Sequence, residues 1–103
     1  MFWPTESYKE GIVRDNISAP YDRTMDATLA ALKDLGYQIR KEEKSTTSAK
    51  IQAVRGDGAT VDLTIKPAPG NASDVEIAAA VIVGGRDIAE QIREAIHRRL
   101  RAS

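Results

Sequence analysis

The sequence predicts an α+β fold in two layers, a five-stranded antiparallel sheet with two helices on one face, in the order β-α-β-β-β-β-α. Three observations predict it. Apolar residues recur every three or four positions in two separate stretches, Tyr21 to Leu35 and Ile88 to Leu100, and each recurrence draws one stripe along a helix. Elsewhere the period falls to two, most cleanly where Val61, Leu63 and Ile65 alternate with Thr60, Asp62, Thr64 and Lys66. Such alternation gives the sheet one dry face and one wet face, so both helical stripes must be buried on the dry one.

Each element follows from local chemistry. Met1 to Glu10 reads as an irregular arm whose apolar content is Phe2, Trp3 and Tyr8, leaving residues 11–103 as a single domain. Gly11 to Ala19 is the first strand, with Val13 and Ile17 on one face and Arg14 and Asn16 on the other. Pro20 ends it and suits the start of the first helix, where a missing N–H costs nothing. That helix carries Tyr21, Met25, Thr28, Leu29, Leu32 and Leu35 on its stripe, with Ala27, Ala30 and Ala31 adding helix preference and small volume. Gly36 fits the position just past its last turn. Tyr37 to Lys44 follows as a strand, with Glu42 to Ser48 read as a polar loop, and Ala49 to Arg55 is the third strand, with Ile51 and Ala53 facing one way. Gly56-Asp57-Gly58 makes a tight turn. Thr60 to Lys66 is the fourth strand, Pro67 to Ser73 a loop, and Asp74 to Val83 the fifth strand. In that last strand Ala78, Ala80 and Ile82 leave the second face nearly apolar. Gly84-Gly85 breaks the pattern before the last helix, which buries Ile88, Ile92, Ala95, Ile96 and Leu100.

Composition bounds the function. A chain of 103 residues should bury roughly 60 to 70% of its unfolded surface, enough for one core without staples. There is no cysteine, which excludes disulfides and thiolate zinc sites. Charges balance at 15 against 15, eight against eight through Lys50 and seven against seven after it. A nucleic-acid binder shows a basic excess, so this evenness argues against one. No stretch approaches the roughly 18 apolar residues of a membrane span. The start, MFWPTESYKEG, lacks a basic leader and an apolar core; the chain is cytoplasmic if Met1 is the native start, or a domain from which a leader was removed.

Little catalytic chemistry can be assembled. His97, the only histidine, lies about 140° from Ile92 on the last helix and reads as a solvated surface residue. One imidazole makes neither a catalytic triad nor a histidine metal set. Gly84-Gly85-Arg86-Asp87 lacks the spacing of a phosphate loop and reads as a strand-to-helix turn. Arg55-Gly56-Asp57 spells an adhesion tripeptide that a hairpin turn already explains, and Asn71-Ala72-Ser73 spells a glycosylation acceptor that three residues match easily by chance. Arg98, Arg99 and Arg101 cluster at the end of the last helix, where the dipole favours cations and where acidic lipid headgroups or an acidic partner would be met. The apolar second face of the fifth strand, through Ala78, Ala80 and Ile82, invites cover by the arm bearing Phe2 and Trp3 or by a second copy of the chain. These residues are the candidate interaction surface; no catalytic, cofactor-binding or metal residue is expected.

The runs ISAPYDRTMDATLAALKDLGYQI, IQAVRGDGATVDLTI and VEIAAAVIVGGRDIAEQI carry a resemblance. They contain a proline-started helix, an AL-x-x-LG helix end, a DG hairpin and a glycine-aspartate lead-in to the last helix. Across residues 9–100 the chain resembles a bacterial domain-of-unknown-function family of small envelope lipoproteins. That resemblance implies a lipid-bearing cysteine upstream of the domain as the only membrane attachment, a periplasmic or outer-membrane location, and no transferable catalytic or ligand residue. The element order also resembles TATA-binding-protein-like topology in architecture alone. Its open face would offer Gln38, Arg40, Lys50, Gln52, Asp62, Thr64 and Glu76, with neither an inserting wedge nor consistent positive charge. The expected function is a non-enzymatic structural or protein-interaction domain with an unknown partner or self-association. The alternative is a carrier of a small apolar ligand held between helices and sheet.

Overall fold

A computed structural model describes residues 12–80 and 85–102. The elements are β1 (Ile12–Ile17), α1 (Tyr21–Asp34), β2 (Tyr37–Lys44), β3 (Ala49–Arg55), β4 (Thr60–Ala68), β5 (Ala72–Ala80) and α2 (Gly85–Ala102). The five strands form one sheet in the order β1-β5-β4-β3-β2, and every neighbouring pair is antiparallel. Both helices lie on the same face and pack against each other, α2 over β1 and β5, α1 over β2 and β4. The predicted architecture is the one observed. The expected arm, Phe2, Trp3, Ile82 and the Gly84 break lie outside the described residues.

The dry face is built by the alternation itself. Val13 and Ile17, Ile51 and Ala53, Val61, Leu63 and Ile65, and Val75 and Ile77 are all buried beneath the helices. In α1 the buried face is centred on smaller side chains than the predicted stripe. Thr24, Ala27, Thr28 and Ala31 are buried with Met25 and Leu32, whereas Tyr21, Leu29 and Leu35 pack only partly against the core. α2 shows the same shift, with Ala89 and Ala95 buried beside Ile92 and Ile96 while Ile88 and Leu100 are half-buried. Two helices side by side on one sheet must approach each other closely, and small residues let them.

At the β4–β5 turn the strands run longer than the alternation predicts. Pro67-Ala68 and Ala72-Ser73 pair with each other, so the predicted seven-residue loop contracts to Pro69-Gly70-Asn71. Gly70 and Asn71 both take positive φ, 81° and 59°, a conformation these two residue types adopt at low steric cost. The polar run after Ile39 is strand as far as Lys44, and a bulge at Arg40 separates the pairs Ile39–Ala53 and Lys41–Gln52. One extra residue reverses the facing of everything after it. Lys41 and Glu43 therefore take the open face, which the sequence assigned to Arg40, and Lys44 turns toward α1. There its Nζ lies 2.6 Å from Asp22 Oδ1 and over the Tyr21 ring, and Tyr21 donates its hydroxyl to the carbonyl of Ser45 at 2.8 Å.

Buried hydroxyls tie the layers together. The carbonyl of Ala19, between β1 and α1, accepts from Ser73 Oγ of β5 at 2.7 Å and from Thr24 Oγ1 of α1 at 3.3 Å. Thr28 donates back to the carbonyl of Thr24 at 2.7 Å. All three hydroxyl residues are fully buried, so each bond answers a desolvation cost. The hydroxyl of Tyr37, by contrast, is buried with no hydrogen-bond partner among the described residues, and burial raises its pKa.

Ser73→Ala is expected to lower the unfolding free energy by about 1–2 kcal/mol, because the Ala19 carbonyl keeps only its longer bond. Tyr37→Phe is expected to leave stability unchanged or raise it by up to about 1 kcal/mol, since it removes an unsatisfied group while keeping the ring. Urea unfolding of the two variants beside the parent measures both, and a Tyr37→Phe variant less stable than the parent would contradict the assignment.

Candidate functional site

Two surfaces gather the polar side chains. The first lies where β1 meets α2. In β1, residues 13, 15 and 17 face the helices, so Asp15 stands between Val13 and Ile17 on the dry side, a position the sequence reading leaves unremarked. A carboxylate there needs polar partners, and α2 supplies them from one face. His97 Nε2 lies 2.6 Å from Asp15 Oδ2, and Arg93 Nη1 lies 3.7 Å from the same oxygen. Arg93 is also held by Glu90 at 3.0 Å, one turn earlier. Asp15 and His97 keep only 21% and 34% of their side-chain exposure, which corrects the expectation of a solvated histidine. The signal was present in sequence, as an acid on the apolar face of a strand and an imidazole four residues after an arginine. What the sequence lacked was the pairing of β1 with β5, which brings the two within reach.

The arginine cluster divides. Arg99 makes a bidentate pair with Asp34 at the end of α1, both contacts 2.6 Å, and that pairing lowers the Asp34 pKa. From the other end of α1, Arg23 Nη2 donates to the Leu100 carbonyl at 3.0 Å, so the last turn of α2 is bracketed. Arg98 and Arg101 are exposed and share a hollow with Arg93, Glu94 and His97. Arg99 thus joins the helices, while its two neighbours are turned to solvent.

The second surface is the open face of the sheet. The strand registers lay its side chains in rows, Arg14-Glu76-Thr64-Lys50-Glu43 being one and Ile12-Ala78-Asp62-Gln52-Lys41 the next. Charges alternate along the first row, and Arg14 meets Glu76 at 3.2 Å while Asn16 donates to Asp74 at 2.8 Å. Toward the other end of β5 the rows turn apolar: Ile12, Val54 and Ala78 are half-exposed, and Ala80 is paired with Thr60 in register. The hollows on this face, about 460 and 410 Å3, are wide and shallow and lie over the charged rows. Among the described residues no group of three or more histidine and acidic side chains converges to hold a metal ion, and no helix is long and apolar enough to cross a membrane.

The remaining motifs are explained by their turns. Arg55 clasps Asp57 with Nε and Nη2 at 3.0 and 2.8 Å, so the adhesion tripeptide neutralises itself. Ser73 of the glycosylation pattern is fully buried on the Ala19 carbonyl.

Hydrogen bonds from Arg55 and from the Ala59 N–H hold the Asp57 carboxyl down at about 2, below its ordinary 3.8. A depressed carboxylate stabilises the fold above its unfolded value and loses that contribution as pH falls through the folded one. The Ala59 amide shift is therefore expected to titrate with a midpoint near 2 rather than 3.8, and Asp57→Asn should abolish the titration. At the first surface, Asp15→Asn is expected to cost about 1 kcal/mol and to couple non-additively to His97→Ala in a double-mutant cycle of urea midpoints. Additive effects would show that the pair carries no stability.

Comparison with known proteins places this geometry in a family. Among curated proteins nothing matches the chain. Of solved structures, the crystal structure of an uncharacterized conserved protein, DUF302, from Bacillus stearothermophilus is similar to it, with a TM-score of 0.57 at 11% sequence identity, over 87% of this chain and 95% of that one. At that identity the likeness concerns the fold alone. Residues 4–99 match the model of a family described as protein of unknown function, DUF3568. With nearly its whole length matched, and with the helix end, hairpin and helix lead-in all inside the match, the chain belongs to the DUF3568 family.

Proposed function

We propose that the chain is a non-enzymatic protein-interaction domain of a bacterial envelope lipoprotein, meeting its partner through the open face of the sheet. The observation that carries this reading is the make-up of that face. Part of its charge is satisfied within the sheet, by Arg14 with Glu76 and Asn16 with Asp74 across strands and by Lys41 with Glu43 along β2, which lowers the cost of covering it. Its other end offers Ile12, Val54 and Ala78 partly exposed, beside the point where the chain enters β1. Contact surfaces combine such an apolar centre with a polar, neutral rim. The sequence adds Phe2 and Trp3 a few residues before Ile12, aromatic types that interfaces favour.

The envelope location is supported by the resemblance of the sequence motifs to envelope lipoproteins, in which a lipid on an upstream cysteine is the tether. A carrier role draws little support from the layer between helices and sheet, where Leu32, Ile51, Leu63, Ile77 and Ile96 are at most 2% exposed.

Two measurements test the parts separately. A photo-crosslinking residue at position 78 is expected to give a discrete adduct in cells, lost on Val54→Lys; no adduct overturns the open-face contact. Labelled palmitate fed to the bacterial host is expected to appear in the membrane-bound gene product; an unlabelled cytosolic product overturns the envelope location.

A further inference from the structure

The hollow beside α2, about 370 Å3 and lined by Arg93, Glu94, His97, Arg98 and Arg101, is taken up by no role described so far. Arg93, His97 and Arg101 follow one another at four-residue spacing and so share a helix face, with Arg98 beside them. Two members are fixed from behind: Asp15 holds His97 at 2.6 Å and Arg93 at 3.7 Å, and Glu90 holds Arg93 at 3.0 Å. The other two are turned to solvent, Arg98 within electrostatic reach of Asp34. Arg98 and Arg101 are exposed and, among the described residues, make no hydrogen bond or ion pair. Their neighbour Arg99 shows that a nearby carboxylate is taken when one is within reach, and among the described residues Glu94 is the only acid lining the hollow. The hollow also sits by the C-terminal half of α2, where the helix dipole disfavours anions. Any anion there must be held by the side chains alone. Guanidinium is the group whose forked donors match phosphate oxygens two at a time.

We propose that this hollow binds a phosphate group, with Arg98 and Arg101 as its direct ligands and with Arg93 and His97, oriented by Asp15, completing the wall. The site lies on α2, apart from the open sheet face, and stands or falls independently of the reading given to that face. A phospholipid headgroup and a free phosphate compound present the same chemistry to it.

The test uses the full chain and two probes: inorganic phosphate, followed by NMR of the arginine Nε–H and His97 ring signals, and vesicles of phosphatidylglycerol against phosphatidylcholine, followed by co-sedimentation. Saturable shifts at Arg98, Arg101 and His97 are expected with phosphate, and the Arg98→Gln, Arg101→Gln double variant should weaken binding by about tenfold or more. Both residues are exposed and, among the described residues, neither is in an ion pair, so the variant is expected to keep its fold, which circular dichroism checks. A charge-matched control, Lys33→Gln with Arg40→Gln, removes two cations elsewhere and should leave binding as it was. Binding of phosphatidylglycerol vesicles without binding of phosphate assigns the group to a headgroup, and binding of phosphate assigns it to a soluble compound. No binding of either probe, or equal weakening by both double variants, overturns the proposal.

Discussion

One dry sheet face has to receive two helices, and the rest of the molecule follows from that constraint. Five strands in a row are wide enough for two helices only if these lie against each other. The buried face of each helix carries small side chains that permit close approach, Ala27 and Ala31 in α1 and Ala89 and Ala95 in α2. Larger side chains fill the core they share, Leu32 of α1 and Ile92 and Ile96 of α2 with Ile51, Leu63, Ile65 and Ile77 of the sheet. The apolar contribution is generic and would tolerate several relative placements of the helices.

Polar contacts at the margins choose among those placements. The Ala19 carbonyl draws a hydroxyl from α1 and another from β5, fixing where the first helix leaves the sheet. Lys44 with Asp22 and Tyr21 with Ser45 tie α1 to the far edge of the sheet, and Asp15 with His97 and Arg93 ties α2 to the near one. Arg99 with Asp34 and Arg23 with Leu100 set one helix against the other. Most of these pairs are exposed and individually weak. Their role is geometric, since each joins elements far apart in sequence at a point where packing alone leaves freedom.

The sequence was informative about elements and poor about these pairings, for a physical reason. Period two and period 3.6 are local properties, so the strands, both helices and the glycine stop at Gly36, which takes φ of 86°, could be read directly. A bulge is one residue of irregularity inside a regular run, and Arg40 carries no mark that distinguishes it from its neighbours. The contraction of the loop after Lys66 was hidden because Pro67 weakens a strand reading, although its pairing with Ser73 needs no donor at that point in the ladder. Asp15 and His97 are separated by 82 residues, and only strand order makes them neighbours. Of the candidate arginines, nothing local separates Arg99, which is bound to Asp34, from Arg98 and Arg101, which are not.

The two outer strands limit how wide this sheet can become. On β1 an acid points inward between two aliphatic residues and is gripped by α2. On β2 the Arg40 bulge interrupts the ladder and the run Lys41-Glu42-Glu43-Lys44 lines the rim with charge. Both devices discourage another strand from docking alongside, so lateral growth into ribbons or fibrils is disfavoured at either border. What these borders leave open to a contact is the pair of broad faces.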